Sequence, residues 1–337
     1  MTPHLETIEP AELTSVTDIG SAFCSAKLLL SALELGVFTA LHDAPAGEPE
    51  LRERLELHSR AARDFLDALV ALGLLRRTGE LYRNSEIADR QLVRGPGYGG
   101  GFLEGANHVL YPAWGKLSAA LRTGEPQAEG DLAEMLADPV RQRGYLAMMD
   151  SLSDPLAGDL ARSLDWSRYR TLADIGGGRG NMVGRLLQQH DHLHGVVFDL
   201  PANAAPCAEH TRALGVTERV RFCGGDFFAD ALPEADVLII GHVLADFSTP
   251  ARQTLVDKAF RAVQPGGAVI VYDPMPDEQY PDLPSLLASL HMLLMTPAGS
   301  GYPPGQCREW MRQAGFLHIS GHLSELGNSV MIGHKAG

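Results

Sequence analysis

The stretch Leu172–Gly180 constrains the fold of this chain more than any other. Its sequence is Leu-Ala-Asp-Ile-Gly-Gly-Gly-Arg-Gly, so a short apolar run leads into a glycine-rich turn, and the helix-forming segment 181–189 follows. Glycine is favoured where the backbone adopts conformations that side chains resist, or where it approaches another group closely. The stretch therefore predicts a strand, a tight turn against a ligand and a helix. A plain tight connection is the alternative, because several nucleotide-binding folds use similar turns.

Polar residues follow the other predicted strands of the same region. Asp199 ends the second predicted strand, about 20 residues beyond the turn, which is the spacing of acids that accept hydrogen bonds from ribose hydroxyls. Asp226, His242 and Asp273 end the third, fourth and fifth predicted strands. Ligands of open parallel sheets bind at the carboxyl ends of the strands, so these side chains are expected around one site.

Four motifs together make a specific resemblance. They are Asp-Ile-Gly-Gly-Gly-Arg-Gly, Phe-Asp-Leu-Pro, Gly-Asp-Phe-Phe, and Gln-Pro-Gly-Gly before a last parallel strand. Over nearly its whole length the chain resembles the S-adenosylmethionine-dependent small-molecule O-methyltransferases, which include plant phenolic and bacterial antibiotic-pathway enzymes. The resemblance implies an α/β fold: a Rossmann-like class I methyltransferase sheet, parallel with an antiparallel closing strand, plus an N-terminal helical and winged-helix dimerisation domain.

The resemblance also implies S-adenosylmethionine as the cofactor, held by residues at three strand ends. These residues are Asp174, Gly176 and Gly178 around the methionine part, Asp199 and Leu200 at the ribose and adenine, and Asp226 and Phe227 beside the adenine.

The chain is predicted to divide into three parts, 1–105 for dimerisation, 106–166 for a helical connection that lines the substrate pocket, and 167–337 for catalysis. Residues 19–40 are too apolar for a single buried stripe, which favours burial in a core or against a second subunit. Residues 50–84 show a helix–turn–helix–hairpin pattern with a turn at Thr78-Gly79. The glycine-rich segment 95–101 is interpreted as a linker, and 131–166 as mostly helical with Tyr145 on it.

Composition narrows the functional classes. The net charge is −14, from 42 acidic and 28 basic residues, which argues against a nucleic-acid surface. The four cysteines show no paired spacing, so neither disulfides nor a cysteine zinc site is indicated. Without an apolar run of about 18 residues or a signal-like start, the expectation is a cytoplasmic protein that does not span a membrane.

The sequence departs from the family at the catalytic position. In the family the fourth strand usually leads to Leu-His-Asp-Trp, whose histidine takes the proton from a phenol. Here the corresponding residues are Leu244, Ala245, Asp246 and Phe247. Because alanine cannot accept a proton, the usual O-methylation mechanism is in doubt.

A metal site could compensate for the missing base. His242 and Asp246 are four residues apart, which places them on one side of the chain if the loop forms a helical turn. His291, on the apolar helix predicted over 283–296, could point into the same pocket. Two histidines and a carboxylate can hold iron, zinc, cobalt or nickel with open positions. Each residue alone is also consistent with an ordinary buried polar group.

The leading hypothesis from the sequence is metal-assisted C-β-methylation of a small 2-oxo acid by a homodimer, with His242, Asp246 and His291 as ligands. The metal would stabilise an enolate, and Asp273 or metal-bound hydroxide would take the proton. The alternative is O-methylation of a hydroxylated aromatic, with His242 or His291 as a substitute base. A winged-helix regulator and a methyltransferase-like scaffold that decarboxylates or cyclises its substrate are further possibilities.

Overall fold

The structure is a computed structural model of the 337-residue chain, and it describes residues 16–95, 98–130, 132–324 and 327–337. Pro96 and Gly97 of the expected linker, and Asp131 at the start of the expected helical segment, lie outside the described residues. The chain forms two compact units, which end and begin at His108 and Val109.

The first unit is mainly helical and contains a small antiparallel sheet with the strand order β1-β3-β2. Its elements are α1 (Val16–Glu34), α2 (Val37–Ala40), β1 (Ala46–Gly47), α3 (Glu48–Arg54), α4 (Ala62–Ala71), β2 (Leu75–Thr78), β3 (Leu81–Asn84), α5 (Glu86–Gln91) and α6 (Gly101–Gly105). The α3–α4–β2–β3 order is the expected helix–turn–helix–hairpin, and Gly79 makes the hairpin turn with φ +59°.

Acidic partners pair with two basic side chains of this winged-helix arrangement, Arg63 and Arg77. Arg77 of the hairpin donates to Asp67 of α4 at 3.2 Å, and the Tyr82 hydroxyl donates to the same carboxylate at 2.8 Å. Arg63 of α4 pairs with Glu80 at 3.2 Å. These pairs join the helix to the hairpin, which fits a structural role better than contact with DNA phosphates.

One described helix, α1, is long and apolar enough to cross a membrane by length and composition alone. Only its C-terminal part is buried within its own unit, at Leu30, Ala32 and Leu33. An apolar helix with a largely exposed surface matches the expectation of a subunit contact in residues 19–40.

The second unit is an α/β domain around a seven-stranded sheet with the order β6-β5-β4-β7-β8-β10-β9. Its strands are β4 (Thr171–Ile175), β5 (His194–Asp199), β6 (Val220–Gly224), β7 (Ala235–Gly241), β8 (Val263–Asp273), β9 (Leu317–Leu323) and β10 (Ser329–His334). The first five strands are parallel, and β10 pairs antiparallel with both β8 and β9. The predicted sheet class is confirmed.

Helices cover both faces of this sheet. The α-helices of this unit are α7 (Tyr111–Trp114), α8 (Leu117–Thr123), α9 (Leu132–Ala137), α10 (Pro139–Ser163), α11 (Asn181–Gln189), α12 (Ala204–Ala213), α13 (Thr249–Ala262), α14 (Leu283–Met295) and α15 (Pro304–Ala314). Alternate residues of β7 enter opposite cores: Val237 and Ile239 pack with α10 and α11, whereas Leu238 and Ile240 pack with α13 and α15. Strands buried on both faces explain the continuous apolar runs in the sequence.

The strand order reverses beside β4. From β4 the chain proceeds outward through β5 and β6, and then returns to place β7 on the other side of β4. The carboxyl ends of β4 and β7 therefore flank a topological switch point, where open α/β sheets bind ligands. Gly176 and His242 are the first residues beyond these two strands.

Candidate functional site

The turn after β4 has no room for side chains. Gly176, Gly178 and Gly180 have φ values of +75°, +56° and +79°, in the left-handed region that only glycine adopts easily. A Cβ on Gly176 would lie 2.7 Å from Val243 Cγ2, and one on Gly180 would lie 2.9 Å from Val197 Cγ2. Local conformation and close packing therefore both explain the glycines that the sequence singled out.

Asp199 is held by the same turn. Its Oδ2 accepts a hydrogen bond from the backbone N–H of Gly178 at 2.6 Å. Its Oδ1 accepts from the backbone N–H of Leu200 at 2.6 Å and from Asn203 Nδ2 at 2.8 Å. Burial raises the pKa of Asp199, and these three hydrogen bonds oppose that shift. The carboxylate is thus fixed in orientation beside the glycine turn, with lone pairs left for a ligand hydroxyl.

Asp174 at the end of β4 is almost fully buried. Burial, with a smaller contribution from the charge of Asp199, raises its pKa to about 7. A Cβ on Gly177 would lie 2.9 Å from its carboxylate, so the turn folds directly over this side chain. A carboxyl that titrates near neutrality beside the ligand turn is typical of a functional site.

Phe227 is an aromatic residue that lies beside the turn. A Cβ on Gly176 would lie 3.8 Å from Phe227 Cε1. The ring packs edge-to-face on Phe228 and Phe247, with centroids 4.9 and 5.6 Å away. Asp226 is exposed, and its Oδ1 accepts the backbone N–H of Phe228 at 2.8 Å. The structure thus places an apolar ring, and a carboxylate outside it, on the β6 side of the turn.

These residues fit S-adenosylmethionine. The side-chain-free turn lets a ligand approach the backbone, and the fixed carboxylate of Asp199 suits a ribose. The ring of Phe227 offers an apolar surface for a purine.

The end of β7 differs from the expected helical turn. His242 has φ +53°, which is uncommon for a residue with a side chain, and a short 3₁₀ turn forms only at Leu244–Asp246. Its ring packs edge-to-face on Tyr272, with centroids 5.1 Å apart. His242 therefore lies outside the helical turn that the four-residue spacing to Asp246 assumed.

The structure therefore gives the predicted metal site no support. Within the described residues, no group of three His, Cys, Asp or Glu side chains could hold a metal ion, and this includes His242, Asp246 and His291. His291 lies on α14, which packs against the Leu244–Asp246 turn as expected. Its ring packs edge-to-face on Trp114, with centroids 5.2 Å apart. Burial lowers the pKa of His291.

His242 and Asp273 instead form a close pair at the ends of β7 and β8. His242 Nδ1 lies 3.9 Å from Asp273 Oδ1, and the His242 and Asp273 side chains are 13% and 2% exposed. His242 Nε2 is buried and has no hydrogen-bond partner among the described residues. Burial lowers the pKa of His242 to about 4, so its imidazole is neutral at physiological pH. A neutral imidazole with a free ring nitrogen can accept a proton.

Burial also raises the pKa of both nearby carboxyls. The pKa of Asp273 rises to about 7, although the Tyr302 hydroxyl donates to its Oδ2 at 2.5 Å, which opposes the shift. The pKa of Asp246 also rises to about 7, and the charge of Arg252 opposes this. Burial raises the pKa of Tyr145 on α10, and the charges of Asp246 and Asp199 raise it further. Tyr145 therefore lies near both the ribose-side and the β7-side acids.

Two residues of this region were missed in the sequence analysis. Arg252 of α13 is 1% exposed, and Tyr302 is also fully buried. A signal for Arg252 was present, because it shares a helical face with Leu255, Val256 and Ala259, all of them buried. No comparable pattern identifies Tyr302, which lies in the irregular segment between α14 and α15.

A Rossmann-like sheet with this turn and this fixed acid defines the class as an S-adenosylmethionine-dependent methyltransferase. The chain belongs to the O-methyltransferase family: the model of the O-methyltransferase domain matches residues 114–317, and that of the O-methyltransferase dimerisation domain matches residues 17–94. The second match supports a homodimer.

Curated relatives match over nearly the whole chain. The tetracenomycin polyketide synthesis 8-O-methyltransferase TcmO of Streptomyces glaucescens is 44% identical over 99% of both chains. The N,N-dimethyltransferase OxyT of Streptomyces rimosus is 41% identical over 91% of both. The 3-hydroxy-5-methyl-1-naphthoate 3-O-methyltransferase of Streptomyces sahachiroi is 32% identical over 96% of this chain and 95% of its own.

Among solved structures, human N-acetylserotonin methyltransferase in complex with S-adenosylmethionine has the same fold. It superposes with a TM-score of 0.88 at 24% identity, covering 98% of this chain and 100% of the human one.

Replacing Asp199 tests the cofactor side of the site. We expect Asp199→Asn to weaken S-adenosylmethionine binding by about 1–3 kcal/mol, because an amide nitrogen would face a backbone N–H that the carboxylate now satisfies. Isothermal titration calorimetry measures this. Asp191→Asn, at a fully exposed acid of the same domain, is the control and should bind normally.

Asp174 should make the free enzyme less stable as the pH rises. Its pKa is raised from 3.8 to about 7 in the folded state. As the pH rises between these values, the unfolded state loses the proton first, so the free energy of unfolding falls by up to roughly 4 kcal/mol. The melting temperature of Asp174→Asn relative to the wild type should therefore increase from pH 5 to pH 8. A difference that does not change with pH would contradict the assignment.

Proposed function

We propose that this enzyme transfers a methyl group from S-adenosylmethionine to a hydroxyl group of an aromatic natural product. The observation that carries the proposal is the 44% identity, over 99% of both chains, to a polyketide 8-O-methyltransferase. The relative that is 32% identical is named as a 3-O-methyltransferase of a hydroxylated naphthoate, which is a fused-ring aromatic acid. Both favour O-methylation over metal-assisted C-methylation of a 2-oxo acid, for which neither the side chains nor these relatives offer support.

N-methylation is a second candidate. It is favoured by the 41% identity to an N,N-dimethyltransferase. An amine and a hydroxyl place the same demands on the cofactor side, and they differ in how the acceptor loses its proton. Analysis of the methylated product therefore identifies the acceptor atom.

The cofactor residues are proposed to act as the geometry suggests. Asp199 and Leu200 would hold the ribose and adenine, and Phe227 would pack on the adenine, with Asp226 beside it. Asp174, Gly176 and Gly178 would surround the methionine part, and the bound cofactor would supply an electrophilic methyl group on a sulfonium. We further propose that the enzyme is a cytoplasmic homodimer.

His242 is proposed to replace the missing base at position 245. Transfer would form the bond between the acceptor oxygen and the methyl carbon and break the carbon–sulfur bond, so that S-adenosylhomocysteine leaves as a neutral thioether. His242 Nε2 would accept the hydroxyl proton. Asp273 lies beyond Nδ1 and would stabilise the imidazolium that forms. Its 3.9 Å separation is too long for a hydrogen bond, but such contacts often tighten only when substrate binds.

The substrate class is tested by product analysis. Purified enzyme with S-adenosylmethionine is offered hydroxylated fused-ring aromatics, the matching amines and 2-oxo acids, each with and without excess chelator. We expect one added methyl on oxygen, and the same rate with chelator. A methyl on nitrogen would support the second candidate, and a chelator-sensitive methyl on carbon would overturn both.

The proton acceptor is tested by paired histidine variants. We expect His242→Gln to lower kcat by roughly 10²- to 10⁴-fold, the range for loss of a general base, without weakening cofactor binding. His291→Gln changes the other candidate base and should have a much smaller effect. If the two variants lose activity in the opposite order, His291 and not His242 takes the proton.

A further inference from the structure

Arg252 carries a buried charge and donates its hydrogen bonds to neutral groups. Its side chain lies in the apolar face of α13 and is 1% exposed. Burial lowers the pKa of Arg252, and the charges of Asp273 and Asp246 oppose that shift. Burying a charge is costly unless hydrogen bonds compensate for the lost water. The neutral groups that accept its hydrogen bonds provide the direct part of this compensation.

Those neutral groups belong to two separate segments. Arg252 Nε donates to the Leu244 carbonyl at 2.8 Å, and a terminal nitrogen lies 3.3 Å from the Ala245 carbonyl. The same nitrogen donates to the Ser300 carbonyl at 2.6 Å and to Ser300 Oγ at 3.1 Å. One planar guanidinium thus ties the turn that contains Ala245 to the segment after α14.

Direct contacts reinforce this link. The Ser300 N–H donates to the Ala245 carbonyl at 2.9 Å. Gly299 packs so closely that a Cβ would lie 2.6 Å from the Ala245 carbonyl oxygen and 2.9 Å from the carbonyl carbon of Asp246. The backbone at Ala245, the position of the missing base, is therefore held by Arg252 and by the segment that contains Gly299 and Ser300.

The guanidinium also stacks on aromatic rings. Its central carbon lies 4.7 Å from the centre of the Tyr302 ring and 5.6 Å from that of Trp310. The Tyr302 hydroxyl in turn donates to Asp273 at 2.5 Å. Arg252 therefore contacts, directly or through Tyr302, both the Leu244–Asp246 turn and the carboxylate that faces His242.

We propose that Arg252 is a positioning residue for methyl transfer: its guanidinium clamps the Leu244–Asp246 turn to the 299–302 segment and so fixes the acceptor side of the site. This inference rests on the proposed methyltransferase function but not on the identity of the acceptor. Arg252 touches no reacting atom and acts through the backbone of Ala245 and through Tyr302.

The clamp should affect the rate more than binding. Transfer requires the acceptor atom to lie close to and in line with the methyl group, and a displacement of about 1 Å can lower the rate by roughly 10²-fold. The cofactor contacts at Gly178, Asp199 and Leu200 come from other segments. Loss of the clamp should therefore leave cofactor affinity nearly unchanged.

The test compares Arg252→Met and Arg252→Lys with Arg219→Met. Arg219 is a matched control, because its guanidinium also donates to backbone carbonyls, those of Leu187, His190 and Leu193, on the other side of the domain. We expect Arg252→Met to lower kcat by roughly 10²-fold, with the Kd of S-adenosylmethionine within about twofold of the wild type. Lysine cannot reproduce the planar fork and should rescue only part of the loss, and Arg219→Met should keep normal kcat.

Hydrogen exchange provides a second readout that needs no substrate. In Arg252→Met the Ser300 amide, which donates to the Ala245 carbonyl, should exchange faster than in the wild type, whereas Arg219→Met should leave it unchanged. Normal kcat with a lower melting temperature, or a parallel loss of cofactor binding, would overturn the proposal and leave Arg252 a purely structural residue.

Failure of the proposed function has a different outcome. If the wild type methylates none of the hydroxylated aromatics, the substrate proposal fails. The exchange measurement still decides whether Arg252 holds the turn: unchanged exchange at Ser300 in Arg252→Met rejects the clamp whatever the acceptor is.

Discussion

The glycine turn at the end of β4 packs closely against its neighbours. This packing determines the arrangement of the whole site. The Gly176 N–H donates to the Phe198 carbonyl at 2.8 Å, which joins the turn to β5, and the Gly178 N–H orients the Asp199 carboxylate. On its other side the turn leaves space for Val243, directly after His242. A single methyl group on Gly176 would therefore disturb the β7 side of the site. One on Gly178 would strain the backbone of the residue whose N–H orients Asp199.

The parts of the structure that local patterns specify were predictable from sequence. Apolar runs buried on both faces predict the parallel strands, and glycines at positions with positive φ predict the ligand turn. The Thr78-Gly79 turn likewise predicted the β2–β3 hairpin, which forms as expected. In each case the signal and its structural cause lie within a few residues of each other, so no knowledge of distant contacts was needed.

The structure gives the metal site no support, and the spacing that predicted it assumed a helical backbone at His242. A spacing of four residues aligns side chains only if every residue between them is helical, and His242 has φ +53°. The Tyr272 carbonyl accepts the His242 N–H at 3.0 Å, and the Tyr272 ring packs against the imidazole. That conformation accompanies contacts with β8, about thirty residues away in sequence, which spacing alone cannot reveal.

On the acceptor side, the sequence motif identified the absent imidazole at position 245. It did not identify the hydrogen bonds that hold the backbone there. The chain has alanine at position 245, where the sequence resemblance implies an imidazole, yet the carbonyl of that residue accepts hydrogen bonds from Arg252 and Ser300. Backbone carbonyls are present in every residue type, so their role leaves no trace in a motif. An arginine among Leu255, Val256 and Ala259 was the only sequence feature that marked the arrangement. The side chain and the backbone of position 245 therefore have separate roles: alanine offers no side-chain proton acceptor, and its carbonyl still accepts hydrogen bonds from Arg252 and Ser300.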